Sequence, residues 1–546
     1  MSKIAHYLQE HLTGEVMVSA DARDYFSKDS SIFNIPPAVI VYPRNENDIR
    51  KVARFSWQLA QRNRIFPITA RGSGTDTTGG ALGSGIVIVF PAHLHHVLEL
   101  DSKSGDVVVE AGINFGKLQQ TLQTHGLFIP AYPASIEYST VGGAISNNIS
   151  GEKSHKYGPI ANFIKSLRVV LSNGEVIETE KLSKKELNKK LGLSSFEGEI
   201  YRSIDTLIEE NKELIKRSKL NLTRNNSGYN IYDVKKDDGS FDLTPLIIGS
   251  QATLGIVSEI SISSESYSPD STLIMISVDD LDSLQHIINE LNKSKNWPCS
   301  IEVVNKGLLE AVQKINPNQL KNSLKLPYPE YLLFVEYDIQ SDHQQKKVVK
   351  ALLKLASRLG LETRVESEPE LKQNLIKIRE CSSTYLGNND GIRKALPIID
   401  DSVVPPTQLA TLISEVTEIF KKVSLDNIAI WGHAGDGNIH IQPHLDLSQV
   451  GDRQKAFKLL NEYYDLVINL GGSISGEHND GRLKTPYLRK LYGDEIYELM
   501  IKIKQIFDPF NILNPGVKFE TTEDEIKNLI AKDYNLSNLY TYLPRT

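Results

Sequence analysis

Two imidazoles, His433 and His440, bracket an Asp-Gly pair in the stretch WGHAGDGNIHIQP at 431–443. A Glu-His pair, Glu477 and His478, follows in SGEHNDGRLKTPYL at 475–488. The first stretch reads as strand, turn and strand, with IAIW leading into the glycines and IHIQ leaving them. With Asp436 and Gly437 at the centre of a two-residue hairpin loop, pairing runs 435 with 438, 434 with 439 and 433 with 440. His433 and His440 then face each other across the ladder, their Cβ atoms about 5 Å apart. Two imidazoles so placed can share one divalent cation, with Glu477 as third ligand and an open position for substrate or water. A hairpin with two packed or exposed histidines is the plain alternative. The second Glu-His pair, in another glycine-flanked turn, favours the metal.

The elements that must position these residues are spread over 546 residues, too many for one core, so at least two domains are expected. A hydrophobic content of 40% with 24% charged residues describes an ordinary soluble globular chain. The net charge of −7 argues against nucleic acid as a partner. Two cysteines, Cys299 and Cys381, allow at most one disulfide and cannot ligate an iron–sulfur cluster unaided, which fits a cytoplasmic setting. The N-terminal MSKIAHYLQEHLTGEV lacks a signal-peptide core, and no run of about 18 apolar residues occurs, so no transmembrane segment is expected. Docking at the inner face of a membrane is left open.

The pattern along the chain divides it into a polar, helical lead-in (1–35), a mixed domain (36–265), a second domain (266–493) and a C-terminal segment returning to the first domain (494–546). In the mixed domain, AVIVYP, a helix capped by Asn45 or Asn47, and IFPITA precede short β-branched strands. Residues 181–222 read as charged helices. The texture changes near ESYSPDS at 265–271. Beyond it, strands and amphipathic helices alternate at long intervals, which suggests an antiparallel sheet with helices on one face, an α+β arrangement.

Three small-residue loops lie in the mixed domain. Arg71-Gly72-Ser73-Gly74-Thr75 follows IFPITA, and its backbone N–H groups can form an anion nest with Arg71 as charge partner. The second, YPASIEYSTVGGAISNNISG at 132–151, and the third, GSQATLGIV at 249–257, add Ser139, Thr140, Gly142, Gly143, Asn147 and Gly255. There is neither a Walker A loop nor a Rossmann glycine pattern. Three such loops suggest an extended ligand with a pyrophosphate and planar rings.

The ordered set ITARGSGTDTTGG, STVGGAISNNISG followed by YG, GSQATLGIVSE, GHAGDGNIH, GEHNDGRLKTPYL and ILNPG resembles the FAD-linked D-2-hydroxyacid dehydrogenases. These belong to the flavoprotein class named after vanillyl-alcohol oxidase and include D-lactate, glycolate and D-2-hydroxyglutarate dehydrogenases. The resemblance spans roughly residues 30–520. It implies a two-part FAD-binding domain of the vanillyl-alcohol oxidase type and an α+β substrate (cap) domain with an antiparallel sheet. It also implies cofactor contacts from Arg71, Gly72, Ser73, Gly74, Thr75, Pro133, Ser139, Thr140, Gly142, Gly143, Asn147, Gly151, Tyr157, Gly158, Gly255, Ile256, Val257 and Asn514. Some relatives attach flavin to a histidine at the position of Thr75; with threonine there, non-covalent FAD is expected. Gln251 and Ala252 replace a Glu-Gly pair of the family, which affects local contacts.

The resemblance assigns His433, His440 and Glu477 to a divalent metal and His478 to catalysis. Imidazole and carboxylate ligands suit zinc, with manganese or iron(II) as rivals. The implied reaction takes a small D-2-hydroxy acid to the 2-oxo acid, with hydride transfer to flavin. Arg379 matches a substrate arginine, against the alternative of a surface helix arginine, and Ser383 stands where relatives carry a threonine. Ile399 replaces a substrate lysine, leaving Lys394 or Arg393 to compensate, and Gln442 replaces an asparagine. The reduced flavin then needs an external acceptor: a quinone, an electron-transfer flavoprotein, a separate iron–sulfur subunit or oxygen. A homodimer is compatible with this reading. A metal-dependent hydrolase without flavin, a non-catalytic flavin subunit and an FAD-dependent sugar or alcohol oxidase are the competing readings.

Overall fold

The computed structural model describes residues 3–534 apart from 295–296, 322, 389–391 and 426. A four-stranded sheet comes first, in the order Glu15–Met17, Val39–Tyr42, Ile86–Val89, Ile68–Arg71. Its last three strands are parallel. VIVY and IVIV are buried almost throughout, as parallel strands covered on both faces must be. The helix Glu46–Ala60 joins two of them. Asn45 caps it by accepting a hydrogen bond from the Asp48 N–H, and Ile49, Val52, Ala53, Ser56 and Ala60 form its buried stripe. The segment read as a separate lead-in supplies the antiparallel edge strand of this sheet.

A five-stranded antiparallel sheet follows, ordered Val97–Asp101, Asp106–Glu110, Ile256–Ser263, Ile164–Val170, Val176–Thr179. The charged stretch 181–222 forms the helices Lys184–Leu191, Phe196–Glu210 and Lys212–Ser218.

The third sheet has seven antiparallel strands: Thr363–Glu366, Thr272–Val278, Tyr331–Tyr337, Ser300–Asn305, Ile430–His433, Asn438–Ile441, Ser402–Val403. Helices cover both of its faces, where the sequence pattern pointed to one. Ile274, Ile276, Val303 and Val335 pack with the helices Leu281–Asn292, Asp342–Arg358 and Leu409–Lys422. Leu273, Val304, Leu332 and Phe334 pack with Lys306–Ile315, Pro369–Arg379 and Ser382–Leu386. The central strands are apolar on both sides, so neither face can be left to water.

The chain ends by returning to the first sheet. The Ile68 N–H donates to the Ile512 carbonyl at 2.7 Å, and the Asn514 side-chain amide donates to the carbonyls of Gly80 and Gln251. Beneath the first glycine loop, burial pushes the Asp29 carboxyl up to about 7, the Asp76 charge adds to it, and Ser31 and Arg71 oppose it. An unfolded aspartate titrates near 3.9. Folding therefore takes up a proton between these values, and stability falls as pH rises from about 4 to about 7. Asp29→Asn should gain thermal stability over the wild type progressively between roughly pH 5 and pH 8. A melting-temperature difference that stays constant over that interval would contradict this.

Candidate active site

The hairpin forms, in a register different from the one its Asp-Gly pair suggests. Trp431 pairs with His440 and His433 with Asn438. The connection is a four-residue turn over 434–437 in place of a two-residue loop. Gly437 ends it with φ 70°, where a Cβ would meet the Val404 carbonyl oxygen at 2.1 Å. Because side chains alternate with period two, a shift of two residues keeps both histidines on one face. His433 and His440 are diagonal neighbours with ring centroids 5.6 Å apart.

Three imidazoles converge on one carboxylate oxygen. Glu477 Oε1 lies 3.1 Å from His433 Nε2, 3.1 Å from His440 Nε2 and 3.6 Å from His478 Nε2. Each ring is held by a carboxylate at its other nitrogen: His433 Nδ1 by Glu302 at 2.8 Å, His440 Nδ1 and His478 Nδ1 by the two oxygens of Asp400 at 3.1 and 3.0 Å. Carboxylates at Nδ1 orient the rings so that each Nε2 points toward Glu477. The same Nδ1 contacts leave an Nε2 lone pair for a cation when the rings are neutral, the arrangement metal-bound histidines adopt. Donor atoms each about 2.1 Å from one cation lie roughly 3.0–3.4 Å apart, so His433, His440 and Glu477 fit a divalent metal. The side chains of His433 and His440 are 12% and 7% exposed, that of His478 31%. The third imidazole is the one a substrate can reach.

Charge follows from these contacts. Burial disfavours the charged form of His433, but Glu302 and Glu477 outweigh it and raise its pKa to about 9. His440 is raised well above the usual histidine value against burial, by Asp400 and Glu477. His478 is raised, again against burial, by Asp401 and Asp400. Glu477, buried among these rings, is held well below the usual carboxylate range chiefly by His433.

The turn carrying Glu477 and His478 is fixed by Asp401. Its carboxylate accepts hydrogen bonds from the backbone N–H groups of Glu477 and His478, from Ser475 Oγ, from the Asn438 side-chain amide and from Lys484 Nζ. Both Asp401 and Lys484 are buried, and Asp401 has φ 67°. Burial opposes its ionisation and the Lys484 ammonium restores it.

The same segment runs on into the glycine loops. The Asn479 amide donates to the carbonyls of Asn147 and Gly249, and the Gly481 N–H donates to Gln251 Oε1. Gln251 in turn donates to Asn147 Oδ1 at 3.0 Å, so the family departure at this position ties three segments together. Arg224 makes a second tie: it donates to the Gly151 carbonyl at 2.8 Å and stands 2.7 Å from Asp436 and 3.4 Å from Glu477.

The loops meet one another as well. Thr75 Oγ1 lies 3.2 Å from Ser139 Oγ, and a Cβ on Gly72 would meet Thr140 Oγ1 at 2.3 Å. Thr140 caps the helix Val141–Asn147 through the Gly143 N–H, while Gly142 packs on Ala111. Among the described residues, none accepts a hydrogen bond from the backbone N–H groups of 72–77. Such a succession of free donors suits a pyrophosphate, so the loop fits the cofactor expected of it. Arg71 is not in the outer concavity: it is buried beneath Gly74, donates to the Lys28 carbonyl and lies over the Phe26 ring. Tyr157 donates to Asp338, and Gly158 follows it with φ 80°. Gly255, Ile256 and Val257 lie against the strand Ile164–Val170, while Pro133 is half-buried in the second loop.

Of the residues expected to contact substrate, Arg379 is buried and ion-paired to Glu152, which removes the surface-arginine alternative. Gln442 is buried and donates to Asp400 Oδ2 at 3.3 Å. Ser383 is not brought to the cluster: it is exposed and its hydroxyl donates to the Glu380 carbonyl. Lys394 pairs with Leu445 in a short separate sheet, and Arg393 is paired with Asp452. Sequence reading missed Asp400, Asp401, Arg224 and Glu302. A signal exists for the aspartates: two carboxylates inside the apolar run LPIIDDSVVP must find partners if buried.

With this geometry in place, comparison with known proteins is informative. An FAD binding domain matches residues 37–180, and the C-terminal domain of FAD linked oxidases matches residues 268–517. The fold is also that of 4-ethylphenol oxidase from Gulosibacter chungangensis (TM-score 0.69, 13% identity, 96% of this chain and 99% of that one). p-Cresol methylhydroxylase is similar, with TM-score 0.68, 15% identity and coverage of 94% and 96%. Fold and matches together define a flavoprotein of the FAD-linked oxidase class.

Among sequence relatives, D-2-hydroxyglutarate dehydrogenase of Escherichia coli (strain K12) is 28% identical over 521 residues, 93% of this chain and 50% of that protein. Glycolate oxidase subunit GlcD of Bacillus subtilis (strain 168) is 26% identical, covering 95% of each chain. D-lactate dehydrogenase of Archaeoglobus fulgidus is 26% identical, over 88% of this chain and 90% of that one. The chain carries both domains of the FAD-linked oxidases and is similar to members named for D-2-hydroxy acids. It spans about half the length of the hydroxyglutarate relatives it matches. Among the described residues, no helix is long and apolar enough to cross a membrane.

The Asp401–Lys484 pair gives a direct test of what holds the site. Removing one partner of a buried pair costs about 3–5 kcal/mol, so Asp401→Asn should lower the denaturation midpoint accordingly. Adding Lys484→Met should recover part of that loss because no unpaired ammonium remains buried. Simple additivity of the two losses would show that the pair does not couple.

Proposed function

We propose that the protein oxidises a D-2-hydroxy acid to the 2-oxo acid, using non-covalent FAD and a divalent metal. The observation that carries this reading is the convergence of three carboxylate-anchored imidazoles on Glu477, in a segment hydrogen-bonded directly to the glycine loops. When bound, the metal polarises the substrate hydroxyl and FAD accepts the C2 hydrogen as hydride. His433, His440 and Glu477 would hold the cation, with zinc the best match to two nitrogens and an oxygen. His478 is the general base: Asp400 orients it through Nδ1, Nε2 takes the hydroxyl proton, and its partial exposure lets that proton leave. Asp400 steadies the base and one ligand at once, so their relative placement is set by a single rigid carboxylate.

The free donors of 72–77 would take the pyrophosphate, and Asn147, Gly151 and Asn479 belong to the segments joining loop to cluster. Arg379 would lie toward the end of the substrate remote from the metal, with Glu152 already engaging its planar fork. Electrons leave to an external acceptor such as a quinone, an electron-transfer flavoprotein or an iron–sulfur subunit. A flavin-free hydrolase would leave the matched FAD binding domain without use.

Anaerobic mixing with D- and L-2-hydroxy acids tests the proposal. A D-acid should bleach the flavin absorbance, and a strong chelator should suppress the bleaching. His478→Ala should slow it by about 10²–10⁴-fold, the usual contribution of a positioned base. Undiminished bleaching of metal-free protein would refute the metal's role.

A further inference from the structure

Arg379 and its surroundings carry information about the charge of the substrate. This rests on the reading that a 2-hydroxy acid binds between the metal cluster and Arg379. Glu302 and His433 lie on one face of the seven-stranded sheet, joined by a 2.8 Å contact. Glu336 lies on the same face, because it pairs with Ser300, two residues before Glu302. The helix Pro369–Arg379 covers this face and ends with Arg379 facing these carboxylates.

Around Arg379, Glu152 Oε2 stands 2.5 Å from one terminal nitrogen, with Glu380 at 3.3 Å, and Glu336 lies 3.6 Å from the other. Tyr132 donates to the second oxygen of Glu152 at 2.8 Å and fixes it in place. Even so, among the described residues Nε and one terminal nitrogen of this buried guanidinium have no hydrogen-bond acceptor. Three carboxylates, Glu152, Glu336 and Glu380, thus stand within 4 Å of this one guanidinium. Burial pushes the Glu152 carboxyl up and Arg379 pulls it down, but Glu336 and Glu302 push it further up.

A second substrate carboxylate would compete with these three for Arg379 and be repelled by them. A hydroxyl, by contrast, carries no charge and can donate to Glu152. We propose that Glu152 is a specificity-determining residue: by occupying the Arg379 guanidinium it selects 2-hydroxy acids with one carboxylate and an uncharged, hydrogen-bonding chain, and turns away dicarboxylates. The contact joins the loop after Gly151 to the cap helix, so the selection is made where the two halves of the molecule meet.

The test is anaerobic flavin reduction of the holoenzyme by D-glycerate, D-lactate and D-2-hydroxyglutarate, in the wild type and in Glu152→Gln. In the wild type, D-glycerate should reduce the flavin at least about tenfold more efficiently than D-2-hydroxyglutarate. Glu152→Gln keeps the shape and the Tyr132 contact, and should narrow that ratio about tenfold by tightening the dicarboxylate, a change of about 1.4 kcal/mol. A wild type that favours D-2-hydroxyglutarate overturns the inference without any variant. So does an unchanged ratio in Glu152→Gln. If none of the three acids reduces the flavin in either protein, this inference and the proposed function both fall; a preference for the dicarboxylate defeats this inference alone.

Discussion

Asp401 holds a negative charge with no contact to solvent, in a left-handed backbone conformation, and its carboxylate gathers five donors from three separate parts of the chain. Such a charge persists only if its partners are complete, because desolvation otherwise neutralises it or unfolds its surroundings. Lys484 provides the countercharge. The remaining donors fix the backbone of 475–478 against the hairpin strand Asn438–Ile441. The position of Glu477 relative to His440 is therefore a consequence of satisfying Asp401.

From that anchor the geometry spreads in two directions. Toward the cap sheet, Glu302 and Asp400 hold the three imidazoles at Nδ1 and leave the Nε2 atoms facing one oxygen. Toward the nucleotide half, Asn479, Gly481 and Arg224 bind the glycine loops from the next residues of the same turn or from beside it. Two halves built on different sheets are thus registered to each other by polar contacts whose geometry tolerates little sliding. The difference in exposure between His478 and the other two imidazoles is what distinguishes the proposed base from the proposed ligands, which share one residue type.

Much of this was legible in the sequence, and the exceptions have physical causes. His433 and His440 could be placed on one face because alternation survives a register shift of two. The register itself could not be read, since the Asp-Gly pair imitates a two-residue loop while Gly437 must sit against the Val404 carbonyl, a contact 33 residues away in sequence. Helix Glu46–Ala60 and its Asn45 cap follow from local pattern alone. Helices on both faces of the cap sheet do not, because apolar runs fit a one-sided or a two-sided strand equally well. Arg224 and Glu302 lie in unremarkable segments and acquire meaning only from partners far along the chain, whereas Asp400 and Asp401 are signalled by their place in an apolar run. The cluster of His433, His440, Glu477 and His478 was visible because its residues lie in two glycine-rich turns; Arg224 and Glu302 were not, because buried ion pairs leave no periodic trace.

The account stands or falls on whether those imidazoles and Glu477 bind one cation. X-ray absorption at the edge of the metal carried by the purified protein tests this directly, together with its stoichiometry. One divalent ion per chain, bound by two imidazole nitrogens and a carboxylate oxygen and released when His433 and His440 are both replaced by alanine, is the expected result. A protein that binds no stoichiometric ion, or whose ion keeps the same ligands in that double variant, would contradict it.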